Sequence, residues 1–208
     1  MRIGVVGAGR VGSALAKRLA PAHEVWIGSR DPARAKALAQ EIGAAGGGGY
    51  REAAEWAEVI LFTVPWWGVD EALAGIGDVG GKVLVDTVNP YTDESYTQMV
   101  EFTGTSAAEE IQKRLPGVRV VQAWNHIHAQ VMDSSPDFGG VPATCFVCGD
   151  DQAAKEVVSG LAREIGYAPV DAGPLSSARY LEPLAGLKVR LSYELGMGTE
   201  QAINLIER

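Results

Sequence analysis

Two cysteines in 208 residues leave no disulfide framework to build. No apolar run is long enough to span a bilayer. Positive charge is also in short supply, with 18 Lys and Arg against 26 Asp and Glu and a net charge of −8. That balance argues against a broad nucleic-acid or membrane surface, although it permits a local basic pocket. No signal peptide is expected, since Met1-Arg2 leads straight into an apolar run. Neither a nucleophile triad nor a convincing acid–base pair is visible, and there is no internal repeat. What is left is a cytoplasmic globular protein of one large or two small domains, with an ordinary 47% apolar and 21% charged residues.

The informative stretch is the first thirty residues. Ile3 to Val6 suits a buried parallel strand, and Ser13 to Ala20 has helical periodicity. Between them Gly7, Gly9 and Gly12 stand in G-x-G-x-x-G spacing, in the strand–turn–helix context a dinucleotide fingerprint requires. Gly7 permits the tight turn, Gly9 lets backbone approach a pyrophosphate, and Gly12 lets the helix lie close to the strand. The segment Gly7, Ala8, Gly9, Arg10, Val11 and Gly12 is therefore the candidate phosphate cradle, with the helix N-terminus holding the anion. The bland alternative is a structural glycine turn.

A second strand, Glu24 to Gly28, ends in Gly28-Ser29-Arg30. NAD-preferring proteins place an acid here for the ribose 2′-hydroxyl. A serine hydroxyl and a guanidinium instead suit a 2′-phosphate. Arg34, one helical turn after Arg30, adds a second cation. The nearby acid, Asp31, reads as an N-cap before Pro32. NADP(H) is thus expected over NAD, against the alternative that Arg30 and Arg34 are a solvated helix face.

Further on, the pattern predicts a helix from Asp31 to Gly43, a flexible glycine run at 46–49, a short strand around Tyr50 and a helix from Glu52 to Ala57. A strand from Val59 to Val64 follows, then a helix from Gly68 to Ile76 and a strand from Lys82 to Asp86. Tyr91 to Gly104 reads as a loop or lid. Ser106 to Glu109 fits a capping box opening a helix to Leu115. Strands are expected at Val118 to Ala123, Ala143 to Cys148 and Tyr167 to Asp171, with a helix from Gln152 to Ile165. From about Ser176 to the end the chain reads as helical, with Gly186, Gly196 and Gly198 as candidate interruptions, and forms either a small cap or a dimerisation element. Strand–helix alternation implies an α/β fold, a Rossmann-type doubly wound, mostly parallel sheet with a short helical C-terminal part. Residues 1–173 form the NADP-binding domain in this reading, and 174–208 complete the acceptor site and a dimer contact. Because ligands lie beyond the C-terminal strand ends, Thr63, Val64 and Pro65 are candidate walls of the nicotinamide pocket. Trp66 and Trp67 either cap the cofactor or pack on the sheet.

Taken together, several landmarks resemble one family. They are Ile3-Gly4-Val5-Val6-Gly7-Ala8-Gly9, Gly28-Ser29-Arg30, Leu61-Phe62-Thr63-Val64-Pro65-Trp66, Asp86-Thr87-Val88-Asn89-Pro90, Val121-Gln122-Ala123-Trp124-Asn125 and Val170-Asp171-Ala172-Gly173-Pro174-Leu175. The chain is similar over essentially its whole length to NADP oxidoreductases acting on the 8-hydroxy-5-deazaflavin coenzyme, F-420. It also resembles the reductase domain of six-transmembrane metalloreductases. The resemblance implies NADPH along the sheet edge, with Ser29, Arg30 and Arg34 at the 2′-phosphate. Thr63, Val64, Pro65, Asn89, Ala123 and Asn125 then surround the nicotinamide. It further implies a homodimer, and F-420, FMN or FAD as the small-molecule redox acceptor. Asn89-Pro90 matches the metalloreductase-like branch, and the pair Trp66-Trp67 and the run His126-Ile127-His128 are not general landmarks of the family.

Trp66, Asn125 and His126 are the acceptor-pocket candidates. His126 and His128 also suit polar pocket or surface roles, and two ligands alone make a poor metal site, so no metal is expected. Cys145 and Cys148, three apart on a strand, point to opposite faces and read as buried free thiols. Lys188 tests a rival reading, an imine or 3-hydroxy-acid reductase, in which a catalytic Lys precedes Asn by four positions. Ser192 stands there, so Lys188 reads as a surface or dimer residue. An NADPH-binding redox sensor is the non-enzymatic alternative.

Overall fold

The structure is a computed structural model and describes residues 1–206. Its strands are β1 (Arg2–Val6), β2 (Glu24–Gly28), β3 (Gly46–Gly48), β4 (Val59–Phe62), β5 (Val83–Asp86), β6 (Arg119–Gln122), β7 (Thr144–Gly149) and β8 (Ala168–Asp171). The helices between and after them are α1 (Arg10–Leu19), α2 (Pro32–Ile42), α3 (Tyr50–Trp56), α4 (Val69–Ile76), α5 (Ala107–Arg114), α6 (Ala129–Asp133), α7 (Gln152–Glu164) and α8 (Ala178–Val189). One eight-stranded sheet runs β3-β2-β1-β4-β5-β6-β7-β8. All neighbours are parallel except β6 and β7. The strand order turns back between β1 and β4, which puts the crevice for a ligand at their C-terminal ends.

Alternation along each strand divides the core. Ile3, Val5, Val59, Leu61, Val83 and Val85 face one helix layer, with α1, α2, α6 and α7. Val6, Ile60, Phe62 and Leu84 face the other, with α3, α4, α5 and α8. Strands buried on both sides explain why they read as unbroken apolar runs. Cys145 and Cys148 fall in opposite layers, both free and buried. Burial pushes each thiol up to about 12.

Local signals behave as their chemistry requires. The Asp31 carboxylate accepts from the Ala33 and Arg34 amides at 2.9 and 3.3 Å, Pro32 opens α2, and Gly43 closes it at φ 69°. Ser106 caps α5 by accepting from the Glu109 amide.

Three expectations are corrected. The glycine run is not a flexible loop, because Gly46–Gly48 is the edge strand, paired with Trp26, Ile27 and Gly28. A Cβ on Gly47 would lie 2.4 Å from the Ala35 carbonyl oxygen, so glycine is what lets α2 lie directly on the strand. Tyr50, expected in a strand, starts α3, whose Gly49 amide donates to Glu52 at 2.6 Å. The helix expected from Ser176 to the end stops early. A π-turn at Arg190–Glu194 follows α8, and Gly196 and Gly198 at φ 68° and 78° break the helical path. Residues 199–206 carry no regular element, and 207–208 lie outside the described residues. Helix α6 was not foreseen from the sequence.

Candidate functional site

The glycine turn is held from three sides. Gly7 sits at φ 121°, its amide donates to the Gly28 carbonyl at 2.9 Å, and the Thr63 hydroxyl donates to its carbonyl at 2.9 Å. A Cβ on Gly12 would fall 1.9 Å from the Gly7 oxygen and 2.5 Å from Thr63 Oγ1. Gly9 is different: nothing lies within 4 Å of a Cβ built there. That open space belongs to a cavity of about 400 Å³ lined by Gly9, Arg10, Ser13, Ala14, Arg34, Gln130 and Asp133. No side chain caps the start of α1, so the first-turn amides of Arg10, Val11 and Gly12 have no partner within the helix. An open concavity at an uncapped helix start, with two guanidiniums beside it, fits a dinucleotide's phosphates.

The two cations at the end of β2 part company. Arg34 lines the cavity on the α1 side. Arg30 reaches across the strand ends toward α4 instead, with Nη1 3.2 Å from the Glu71 carboxylate. The Ser29 hydroxyl accepts from the Asp31 amide at 3.2 Å.

At the other end of the crevice the loops after β5 and β6 are clasped together. Asn89 Nδ2 donates to the Asn125 carbonyl at 2.6 Å, and Asn125 Nδ2 donates to Asn89 Oδ1 at 3.0 Å and to the Leu181 carbonyl of α8 at 3.1 Å. Thr63, Val64 and Ala123 are buried at the adjoining strand ends, while Pro65 is exposed. Trp124 adopts φ 56°, a left-handed conformation rare for a bulky residue, and its buried indole N–H has no partner among the described residues. Such strain persists only where the surroundings over-determine it, and it clusters at functional sites.

Trp66 is half-buried and meets Phe102 edge-to-face at 5.6 Å, with the Arg114 guanidinium 5.9 Å from its ring. Trp67 stands against Tyr96. Both indoles thus pack under the 91–104 loop.

Two sequence expectations about polar residues are corrected. His126 is only 3% exposed, and its Nε2 meets the Thr144 carbonyl at 3.1 Å, tying the chain after β6 to β7. Burial holds it down at about 4, so it is a neutral internal tie with no surface role. Lys188 is no surface residue either. It is 2% exposed, with Nζ donating to the Gln201 carbonyl at 3.1 Å, and burial lowers it to about 8. Beside it His128 meets the Ser192 hydroxyl at 2.7 Å, and burial, then the Lys188 charge, hold that imidazole at about 4.

Sequence reasoning missed one polar network. Gln122 Nε2 donates to Asp86 at 3.1 Å and to Glu182 at 3.2 Å, and Glu182 accepts the Ala107 and Ala108 amides at the start of α5. Burial raises both carboxyls to about 7. The available signal was an acid ending the apolar strand Val83-Leu84-Val85-Asp86. Among the described residues no three His, Cys, Asp or Glu side chains are placed to hold a metal, and no helix is long and apolar enough to cross a membrane.

Residues 2–90 match the family described as NADP oxidoreductase coenzyme F420-dependent. Over 185 residues the chain is 31% identical to metalloreductase STEAP3 of Rattus norvegicus, covering 88% of this chain and 36% of that protein, so it spans about a third of that relative's length. It is 27% identical to the F420-dependent NADP reductase of Methanocaldococcus jannaschii, over 92% of both chains. The crystal structure of a candidate F420-dependent NADP-reductase from Arthrobacter sp. FB24 superposes with a TM-score of 0.88 at 30% identity, covering 100% of each chain. On the glycine turn, the switch-point crevice and this full-length likeness, the chain belongs to the family of coenzyme F420-dependent NADP oxidoreductases.

Proposed function

We propose that the protein is a cytoplasmic NADPH-dependent reductase that exchanges hydride with a flavin-like ring, in first place the deazaflavin coenzyme F-420. The observation that carries the reading is the uncapped start of α1 opening on a concavity, beside a β2 end with arginine where an NAD site has an acid. NADPH, when bound, supplies the hydride. The chain's own task is then to bind, orient and exclude water. The residues at the far end of the crevice suit that task, since the Asn89 and Asn125 amides are clasped to one another. The Asn89–Asn125 clasp would hold the nicotinamide end, and Trp66 under its loop would border the acceptor.

A second reading has support of its own. The likeness to a metalloreductase supports reduction of a metal as the alternative, for which we take a flavin, FMN or FAD, as the acceptor. Oxidation of NADPH followed in parallel with F-420 and with FMN separates the two. Saturable bleaching of F-420 alone is the expected result, whereas FMN turnover alone would move the protein to the flavin branch. Silence with both, with NADPH still bound, would leave the sensor and the imine or hydroxy-acid reductase. Loss of turnover in Lys188→Ala with NADPH binding intact would then favour the latter.

A further inference from the structure

Arg30 already has a partner, and that partner is acidic. Glu71 sits in the first turn of α4, and its carboxylate meets the Arg30 guanidinium at 3.2 Å. Tyr50, at the start of α3, has the same two residues as its charged neighbours. Its ring lies against α4 where a Cβ on Gly75 would come within 3.0 Å. Three segments thus converge on one guanidinium at the mouth between the ends of β2 and β4. We propose that Glu71 is a specificity-determining residue, whose carboxylate competes with the 2′-phosphate of NADP(H) for Arg30.

The inference rests on the NADP reading above. Both side chains are more than half exposed, at 66% and 60%, so their pairing contributes little to the fold and is readily exchanged. A guanidinium has donors to spare for two acceptors. The difficulty is charge: a phosphomonoester carries about −1.5 to −2 near neutrality. A carboxylate left a few ångströms away repels it, and the repulsion is screened by salt. NADH has no such group and does not meet this competition. Glu71 therefore limits how far the protein prefers NADP over NAD, without touching the shared part of the cofactor.

The experiment measures dissociation constants of NADPH and NADH for the full chain and for Glu71→Gln and Arg30→Ala, at low and high salt. Glu71→Gln is expected to tighten NADPH by about three- to tenfold at low salt, less at high salt, and to leave NADH unchanged. Unchanged or weaker NADPH binding in Glu71→Gln, with Arg30→Ala weakening it, would overturn the competition and leave the 2′-phosphate reading intact. Equal tightening of both nucleotides would overturn it too, by placing Glu71 against the shared moiety. If Arg30→Ala leaves NADPH affinity unchanged, the 2′-phosphate reading itself falls, and the role of Glu71 with it.

Discussion

Gly9 and Gly12 share a motif but answer to different constraints. A methyl group at Gly12 collides with the Gly7 carbonyl and the Thr63 hydroxyl, so the helix must move away from the strand. One at Gly9 meets no protein atom and projects into open space. Gly12→Ala is therefore expected to lower the melting temperature as well as cofactor affinity. Gly9→Ala should keep the melting temperature within a degree or two and weaken NADPH by about tenfold or more, because the methyl takes the position of an anion. Calorimetric melting combined with NADPH titration checks both, and parallel losses in the two variants would refute the distinction. The spacing was legible in the sequence, but which glycine serves the fold and which serves the ligand was not. That difference depends on Thr63, far along the chain.

Helices α5 and α8 and strands β5 and β6 meet at a buried carboxylate pair. Glu182 of α8 caps α5 from outside, supplementing Ser106. Gln122 donates to both acids, while its own carbonyl oxygen has no partner among the described residues. Both folded-state values, about 7, lie above the ordinary 3.8 and 4.5 of these carboxyls. The folded state thus binds protons that the unfolded chain releases. The stabilisation is complete below about pH 4 and is lost as pH rises through 7. The pair's contribution to unfolding free energy should fall across that window, against the opposite contribution of His126 and His128, which burial holds at about 4, and urea titrations of the native chain and of Asp86→Asn at successive pH values would separate the two. Asp86→Asn should remove that residue's share of the fall, because an amide does not titrate. An unchanged slope in Asp86→Asn would contradict this account. From the sequence Ser106 was legible as the cap, because cap and helix are adjacent. Glu182 lies about seventy residues on, and nothing local connects it to α5.

Among the described residues, an apolar stretch of the molecule stays uncovered. Tyr180, Leu187, Tyr193, Leu195 and Met197, from α8 onward, are each more than half exposed. Apolar residues exposed in such a run mark an association surface, and they are the observation supporting the homodimer expected from the sequence. We propose that two copies meet there. Light scattering should give a dimer mass for the native chain and a monomer mass for the double variant Leu195→Glu, Met197→Glu. A monomer from both would end the proposal.

Sequence alone determined the alternation of strand and helix, the glycine turn, the Asp31-Pro32 start of α2 and the opposite facing of Cys145 and Cys148. Each depends on residues within one or two turns of one another, where backbone geometry and capping act locally. Only the tertiary structure decided that Gly46–Gly48 is a strand, that Lys188 and His126 are internal, that Arg30 pairs with Glu71 and that Gln122 joins two acids. Each of these is settled by a partner from a distant segment: the Ala35 carbonyl over Gly47, the Gln201 carbonyl on Lys188, the Thr144 carbonyl on His126. A buried polar group must find such a partner or lose its solvation, and the fold chooses which.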